Sequence, residues 1–199
     1  MTSTTQHAPT AAAPRPLIAP RRFTVDEYYG MAEAGILGPE DRVELIDGEI
    51  VKKSPIGPLH AAVVERLRDL LSERLRGQAT IRSQNPIRLS NASEPEPDMA
   101  VVQLRADAYA SAHPTPADVL LLIEASDSTL AYDRDVKLPR YAAAGIPELW
   151  IVDLEHQQVE QHYCPAGDQY RTKQTWAHGQ AIPCQSIAGL TLQIDELLG

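Results

Sequence analysis

Cysteine is scarce in this chain of 199 residues: two only, Cys164 and Cys184. Neither sits in a CxxC pair or at metal-ligand spacing from a histidine. A thiolate zinc site and a disulfide framework are therefore not implied, and two unpaired thiols in a reducing cytoplasm are expected. Long apolar runs are missing too. No stretch approaches the roughly 20 residues that a membrane span needs, so no membrane partner is expected. The opening MTSTTQHAPTAAAPRPLIAPRR lacks the basic start and apolar centre of a secretory signal. Rich in Thr, Ala and Pro, residues 1–22 read as a disordered arm, leaving 23–199 as the domain. Cations are few: 18 Lys and Arg stand against 27 Asp and Glu, a formal charge of −9. That balance argues against a protein that coats nucleic acid non-specifically, while leaving room for a DNA enzyme with a local basic face. Internal repeats, a helix-turn-helix, a zinc finger and a GxSxG nucleophile elbow are all absent.

What remains is ordinary for a soluble globular protein, with 43% apolar and 23% charged residues. The length suits one well-buried domain. FTVDEYYGMAEAGIL, 23 to 37, reads as a short helix with Thr24 as N-cap, Glu27 as capping-box partner and Gly35 as stop. Asp47-Gly48 is a two-residue hairpin signal between Val43, Leu45 and Ile50, Val51. From Pro58 to Arg76, Val64, Leu67, Leu71 and Leu75 recur at helical spacing, and Gly77 ends the run. Strands are expected at 80–84, 86–90, 99–104 and 119–124, with a loop in 105–118 that has room for one helical turn. Asp133 to Ala144 reads as a helix that kinks or breaks before Pro139. ELWIVDL, VEQHYC, QYRTKQTW and GLTLQ read as further strands, with turns at Ala166-Gly167 and His178-Gly179. The order predicts an α/β fold: one mixed sheet flanked by helices.

Acids stand where strands begin or end. Asp98 opens MAVVQL, Glu124 closes VLLLIE, and Glu44 alternates with Val43 and Leu45. An apolar strand buried on both faces has its ends at the sheet's rim, so carboxylates on neighbouring strands can converge. Hard oxygen ligands of this kind suit Mg²⁺ or Mn²⁺, and the cation relieves their mutual repulsion. Lys137, on the following helix, has a stem long enough to reach back toward them.

EPEPDMAVV, LLIEASDSTLAYDRDVKLPRYAAAGIPELWIVDL, VELIDGEIV and PLHAAVVERLRDLL together resemble a bacterial restriction-endonuclease domain family of the PD-(D/E)XK nuclease superfamily. The resemblance runs from about Phe23 to the C-terminal GLTLQIDELL. It implies a restriction-endonuclease-like fold with Asp98 and Glu124 as metal ligands. Ser126 stands where ExK places a lysine, which nominates Lys137 instead. Glu44 becomes an additional acid and His60 a weaker candidate. The activity implied is Mg²⁺-dependent hydrolysis of DNA phosphodiesters, with Mn²⁺ substituting, by a cytoplasmic homodimer. Loss of nicking in Glu124→Ala and Lys137→Ala proteins, with folding intact, is what this arrangement predicts.

Plainer readings stand beside these. Glu124 pairs with an arginine or caps the Ser126 to Thr129 turn; Lys137 is solvated; Asp98 ends a turn. Glu44 is an exposed strand residue and His60 a satisfied polar group. Asp133 caps its helix rather than binding metal. Ser126 hydrogen-bonds local backbone, and Tyr132, Tyr141 and Trp150 are core or interface aromatics. Arg134, Lys137 and Arg140 form a helix face that meets phosphate or simply faces water. The alternative function is a non-catalytic nuclease-fold protein serving in binding or assembly; a hydrolase of small phosphoesters comes third.

Overall fold

The computed structural model describes residues 19–38 and 40–199. The expected arm lies outside this range apart from residues 19–22, which are exposed and carry no regular structure. Helix α1 (Val25–Glu33) begins with the expected capping box: the Glu27 amide donates to Thr24 and the Glu27 carboxylate accepts from the Thr24 amide. Strands β1 (Val43–Ile46) and β2 (Glu49–Lys52) pair antiparallel. Asp47 and Gly48 both take positive φ, 49° and 76°, the conformation that a two-residue hairpin turn requires. Helix α2 (Pro58–Arg74) follows, and its face of Val63, Val64, Leu67 and Leu71 is buried.

The main sheet has six strands in the order β3-β4-β5-β6-β7-β8. These are β3 (Ala79–Ser83), β4 (Met99–Gln103), β5 (Val119–Ser126), β6 (Glu148–Asp153), β7 (Gln158–Ala166) and β8 (Gln169–Ala177). Only β5 and β6 run parallel. A parallel pair needs a long crossover, and residues between Ser126 and Glu148 supply it. A small pair, β9 (Ala181–Pro183) with β10 (Thr191–Gln193), and a short helix α5 (Ile194–Leu198) complete the chain.

The sheet separates two cores. On one face Met99, Val101, Leu121, Ile123, Trp150 and Val152 pack against α2 and α5. On the other, Ala100, Val102, Leu122, Leu149 and Ile151 pack against Ile87, Tyr141 and Ile146. The central strands are thus covered on both sides, which is why VLLLIE shows no alternation. Each fully buried Leu or Ile contributes about 1.5–3 kcal/mol.

Two expectations about the backbone change. PIRLS is not a strand. Its amides bond irregularly, Ile87 to Pro95, Arg88 to Pro114 and Leu89 to Ser93, because Pro86 and the tight Ser90–Ser93 turn break any continuous ladder. The C-terminal residues of GLTLQIDELL fold partly into α5, which sequence reading left unassigned. The break before Pro139 does occur, in a specific form. A single turn α3 (Leu130–Tyr132) leads into a π-helical stretch, Asp133–Lys137, and then α4 (Leu138–Ala143). The Leu138 amide donates to the Asp133 carbonyl five residues back. Pro139 has no N–H for the carbonyl four residues before it, and its ring crowds that oxygen, so the wider turn relieves both problems. Among the described residues no helix is long and apolar enough to cross a membrane.

Candidate active site

Strand alternation aims Leu122, Glu124 and Ser126 at the face that the crossover covers. Glu124 is not at the strand's tip: β5 continues to Ser126, and the carboxylate is 2% exposed. Its Oε1 accepts from the Tyr141 hydroxyl at 2.6 Å and from the Lys137 ammonium at 3.1 Å. Its Oε2 receives only the Asp98 backbone amide at 3.4 Å. Asp98, just before β4, answers across the strand pair, with Oδ2 accepting from the Ala125 amide at 2.9 Å. Its Oδ1 lies 3.0 Å from His60 Nε2 and 3.4 Å from Gln84 Nε2.

Glu44 comes from β1 and is buried. Its Oε2 lies 3.6 Å from Lys137 Nζ and accepts from the Glu96 amide at 3.0 Å; its Oε1 takes the Tyr132 hydroxyl at 3.3 Å. Lys137 itself is 5% exposed, and Asp133 Oδ1 stands 3.9 Å from its Nζ. Glu44, His60, Asp98, Glu124 and Lys137 all line one cavity of about 300 Å³. Every residue nominated from the sequence meets there.

The charges are strongly coupled. Burial raises the Glu124 acid to about 8, opposed by the Lys137 ammonium and reinforced by Asp133 and Asp98. Burial alone favours a neutral Lys137, but Glu124, Glu44, Asp133 and Asp98 outweigh it and hold the ammonium above its ordinary range. For Asp98 burial again pushes upward, yet the His60 hydrogen bond and charge, the Ala125 amide and Lys137 leave it below its ordinary value. Burial and the nearby carboxylates raise Tyr141, which stays a hydroxyl donor.

Several functional neighbours carried no clear signal. Asp133 is not a helix cap, since the helical turn has already begun at Leu130. It is buried and accepts from Ser126 Oγ and Thr129 Oγ1, each at 2.8 Å. Ser126 therefore serves a side chain rather than local backbone. Tyr141 is a core aromatic, as expected, but its hydroxyl fixes Glu124. Asp133, Lys137 and Tyr141 recur every four residues, a one-face pattern that was available in the sequence. Gln84 and Glu96 were not singled out: Gln84 reads as the last residue of an expected strand but lies just past β3, and Glu96 lies outside any element.

The basic face of Arg134, Lys137 and Arg140 does not exist as a unit. Lys137 turns inward, Arg140 pairs with Asp47 at 2.6 Å, and Arg134 reaches Glu160 at 2.9 Å and Asp153 at 3.2 Å. The last cluster makes a pH prediction. Burial raises Glu160, but hydrogen bonds from His162, Lys173 and Arg134 outweigh it and lower its acid. Asp153 is likewise lowered, burial being outweighed by the His156 amide and ring and by Gln158. Both carboxyls are more acidic folded than unfolded, so they stabilise the fold above the ordinary carboxylate range, and that contribution fades as pH falls. The melting temperature should drop between about pH 5 and pH 3, and less steeply in Lys173→Met. Equal slopes in both proteins would remove this cluster as the cause.

Three observations bear on a divalent ion. Glu124 and Asp98 offer hard oxygen donors, Glu124 Oε2 has one weak partner, and the cavity has room for water. No group of three or more His, Cys, Asp or Glu stands in ligand geometry among the described residues. Mg²⁺ generally takes one or two protein carboxylates and keeps several waters, so a pair of acids is a sufficient donor set for it.

Residues 25–195 match the family described as "Uma2: Putative restriction endonuclease". The crystal structure of a putative nuclease belonging to DUF820 from Anabaena variabilis ATCC 29413 is similar, with a TM-score of 0.70 at 16% identity. The likeness covers 88% of this chain and 97% of that one, and at such identity it speaks for the fold. No curated protein matches the chain.

Proposed function

Because the chain belongs to the restriction-endonuclease family matched over residues 25–195, we propose that it is a metal-dependent endonuclease hydrolysing DNA phosphodiesters. The observation that carries this reading is the meeting of Glu44, Asp98, Glu124 and Lys137, from four separate segments, in one cavity. Asp98 and Glu124 hold Mg²⁺, with Mn²⁺ able to replace it. When bound, the ion supplies Lewis acidity toward the phosphate and a more acidic water.

The chain's own groups do the rest. Tyr141 and Lys137 together fix Glu124 Oε1, which leaves Oε2 as the oxygen free to bind. His60 and the Ala125 amide orient Asp98. A lysine that the surrounding carboxylates keep in its ammonium form has no lone pair with which to take a proton at neutral pH. The role of Lys137 is thus to orient water and to balance charge building on the phosphate, rather than to remove a proton. Cytoplasmic location and dimerisation, both expected earlier, belong to the same proposal.

Two measurements test it. Wild-type protein should nick supercoiled plasmid in Mg²⁺ or Mn²⁺ but not in EDTA, and Asp98→Ala and Glu124→Ala should abolish nicking. Calorimetric titration should detect one Mn²⁺ site that Asp98→Ala loses. Nicking that survives both substitutions refutes the assignment. A specific observation favours the second reading, a binding scaffold without catalysis: Lys137 is already engaged by the acids it would assist. DNA binding with neither Mn²⁺ binding nor nicking would select it.

A further inference from the structure

The cavity wall beside the acids is built by β1, β2 and the chain flanking them. Alternation puts Arg42 and Glu44 on one face, and Val51 and Lys53 on the same face of the partner strand. All four line the cavity. Glu44 pairs with Val51 in the ladder, and two residues further along, past the Val43–Lys52 pair, the Lys53 amide donates to the Arg42 carbonyl at 2.7 Å. Two cations therefore stand side by side, two residues and roughly 7 Å along the strand from Glu44.

Like charges placed opposite one another repel, and here little offsets them. Lys53 Nζ has a single carboxylate, Glu96 at 2.9 Å. Arg42 has none within ion-pair distance among the described residues; its guanidinium donates to the Ser54 carbonyl at 3.2 Å. Arg88, Arg105, Arg134 and Arg140 each stand beside a carboxylate. Arg42 shares its lack of an ion pair with Lys52, Arg66, Arg76, Arg82 and Arg171 among the described residues, and of these six only Arg42 and Lys52 line the cavity. The N-terminus of α2 opens at the same wall through Gly57 and His60, and its first turn carries no acid. Its dipole adds positive potential in the same sense.

An acidic floor attracts a cation, whereas this wall attracts an anion. We propose that Arg42 and Lys53 form a clamp for a non-scissile backbone phosphate of the nucleic-acid strand whose neighbouring phosphodiester lies at Asp98 and Glu124. The clamp rests on the nuclease reading above. Arg42 presents a planar fork to two phosphate oxygens, and Lys53 adds a point charge. Glu96 competes for Lys53 when no phosphate is present and releases it on binding.

The test is a salt series of fluorescence-anisotropy titrations with an end-labelled DNA duplex, in EDTA and in Ca²⁺. Arg42→Gln and Lys53→Met should each weaken binding roughly 10-fold, as for loss of a charged hydrogen bond. The double variant should flatten the slope of log affinity against log salt by about 0.9, one phosphate's worth. Glu96→Gln should tighten binding, a change of sign that mere structural damage does not produce. Its side chain is 29% exposed, so it decides the case even if Arg42→Gln fails to fold. If wild-type protein binds and nicks but the slopes coincide and Glu96→Gln binds no tighter, the clamp is wrong and the nuclease reading stands. If wild-type protein neither binds nor nicks, both fall.

Discussion

Replacing Lys137 by methionine is expected to slow hydrolysis at least about 100-fold and to destabilise the fold by on the order of 3–5 kcal/mol. Both losses have one cause. The ammonium lies 3.1 Å from Glu124, 3.6 Å from Glu44 and 3.9 Å from Asp133, all of them buried. Methionine fills the space but leaves three carboxyls facing one another without a counter-charge. Glu124 and Asp133, already raised by burial, respond by holding protons more tightly, so their folded-state values rise further above the unfolded ones. A group raised in this way stabilises the folded state below its unfolded value and loses that contribution as pH increases. The melting deficit of Lys137→Met should therefore be larger at about pH 8 than at about pH 5. Burial here revises the expectation, drawn from the sequence, that folding would survive loss of this lysine untouched. Calorimetry at both pH values, with nicking assayed where the variant is folded, separates the two effects. Wild-type nicking by a folded Lys137→Met protein would sink the role of the lysine. A deficit that grows toward low pH would sink the electrostatic account.

Much of this arrangement was legible because it depends on short-range patterns. Thr24 with Glu27, Asp47-Gly48 and the Val64–Leu75 stripe are local signals with direct backbone consequences, and the structure contains each of them. The site acids were readable for a different reason: the order of Glu44, Asp98, Glu124 and Lys137 resembled a family. Composition alone would have left Glu44 as an exposed strand residue. What stayed hidden was long-range or depended on a changed helical phase. The π turn after Asp133 follows from Pro139 together with tertiary packing, and periodicity gives only a kink. PIRLS has strand composition, but its amides find partners in Ser93, Pro95 and Pro114, which no local rule supplies. The Arg134–Lys137–Arg140 spacing was real in sequence. Its meaning was set by carboxylates on β6, β7 and the β1–β2 turn.

Glu148 is the extreme case of a residue with no sequence signal, and its removal should cost as much as any substitution in the chain. An acid opening ELWIVDL looks like a solvated strand start, yet this one is fully buried. Its Oε1 accepts from Trp150 Nε1 at 2.6 Å and from Gln161 Nε2 at 2.7 Å. Its Oε2 accepts from the Gln185 and Ser186 amides at 2.7 and 2.8 Å, from Ser186 Oγ at 2.9 Å and from Cys184 Sγ at 3.2 Å. One carboxylate thereby ties β6 to β7 and to the segment joining β9 and β10. Glu148→Ala removes the acceptor these six donors share, although Gln161 keeps the Pro183 carbonyl and Cys184 and Ser186 keep each other. Each orphaned buried donor costs about 1–3 kcal/mol. Water entry and relaxation hold the total below the sum, at roughly 4–5 kcal/mol, or about 10–15 °C of melting temperature. Glu148→Gln should recover little, because its amide nitrogen replaces an oxygen that four donors share and would itself face N–H groups. Glu148 does not line the cavity, so the folded fraction of either variant should bind Mn²⁺ as wild type does. Scanning calorimetry and Mn²⁺ titration on the same samples check both halves. A melting temperature within about 2 °C of wild type, less than a single kcal/mol shifts a domain of this size, would mean that water already satisfies these donors.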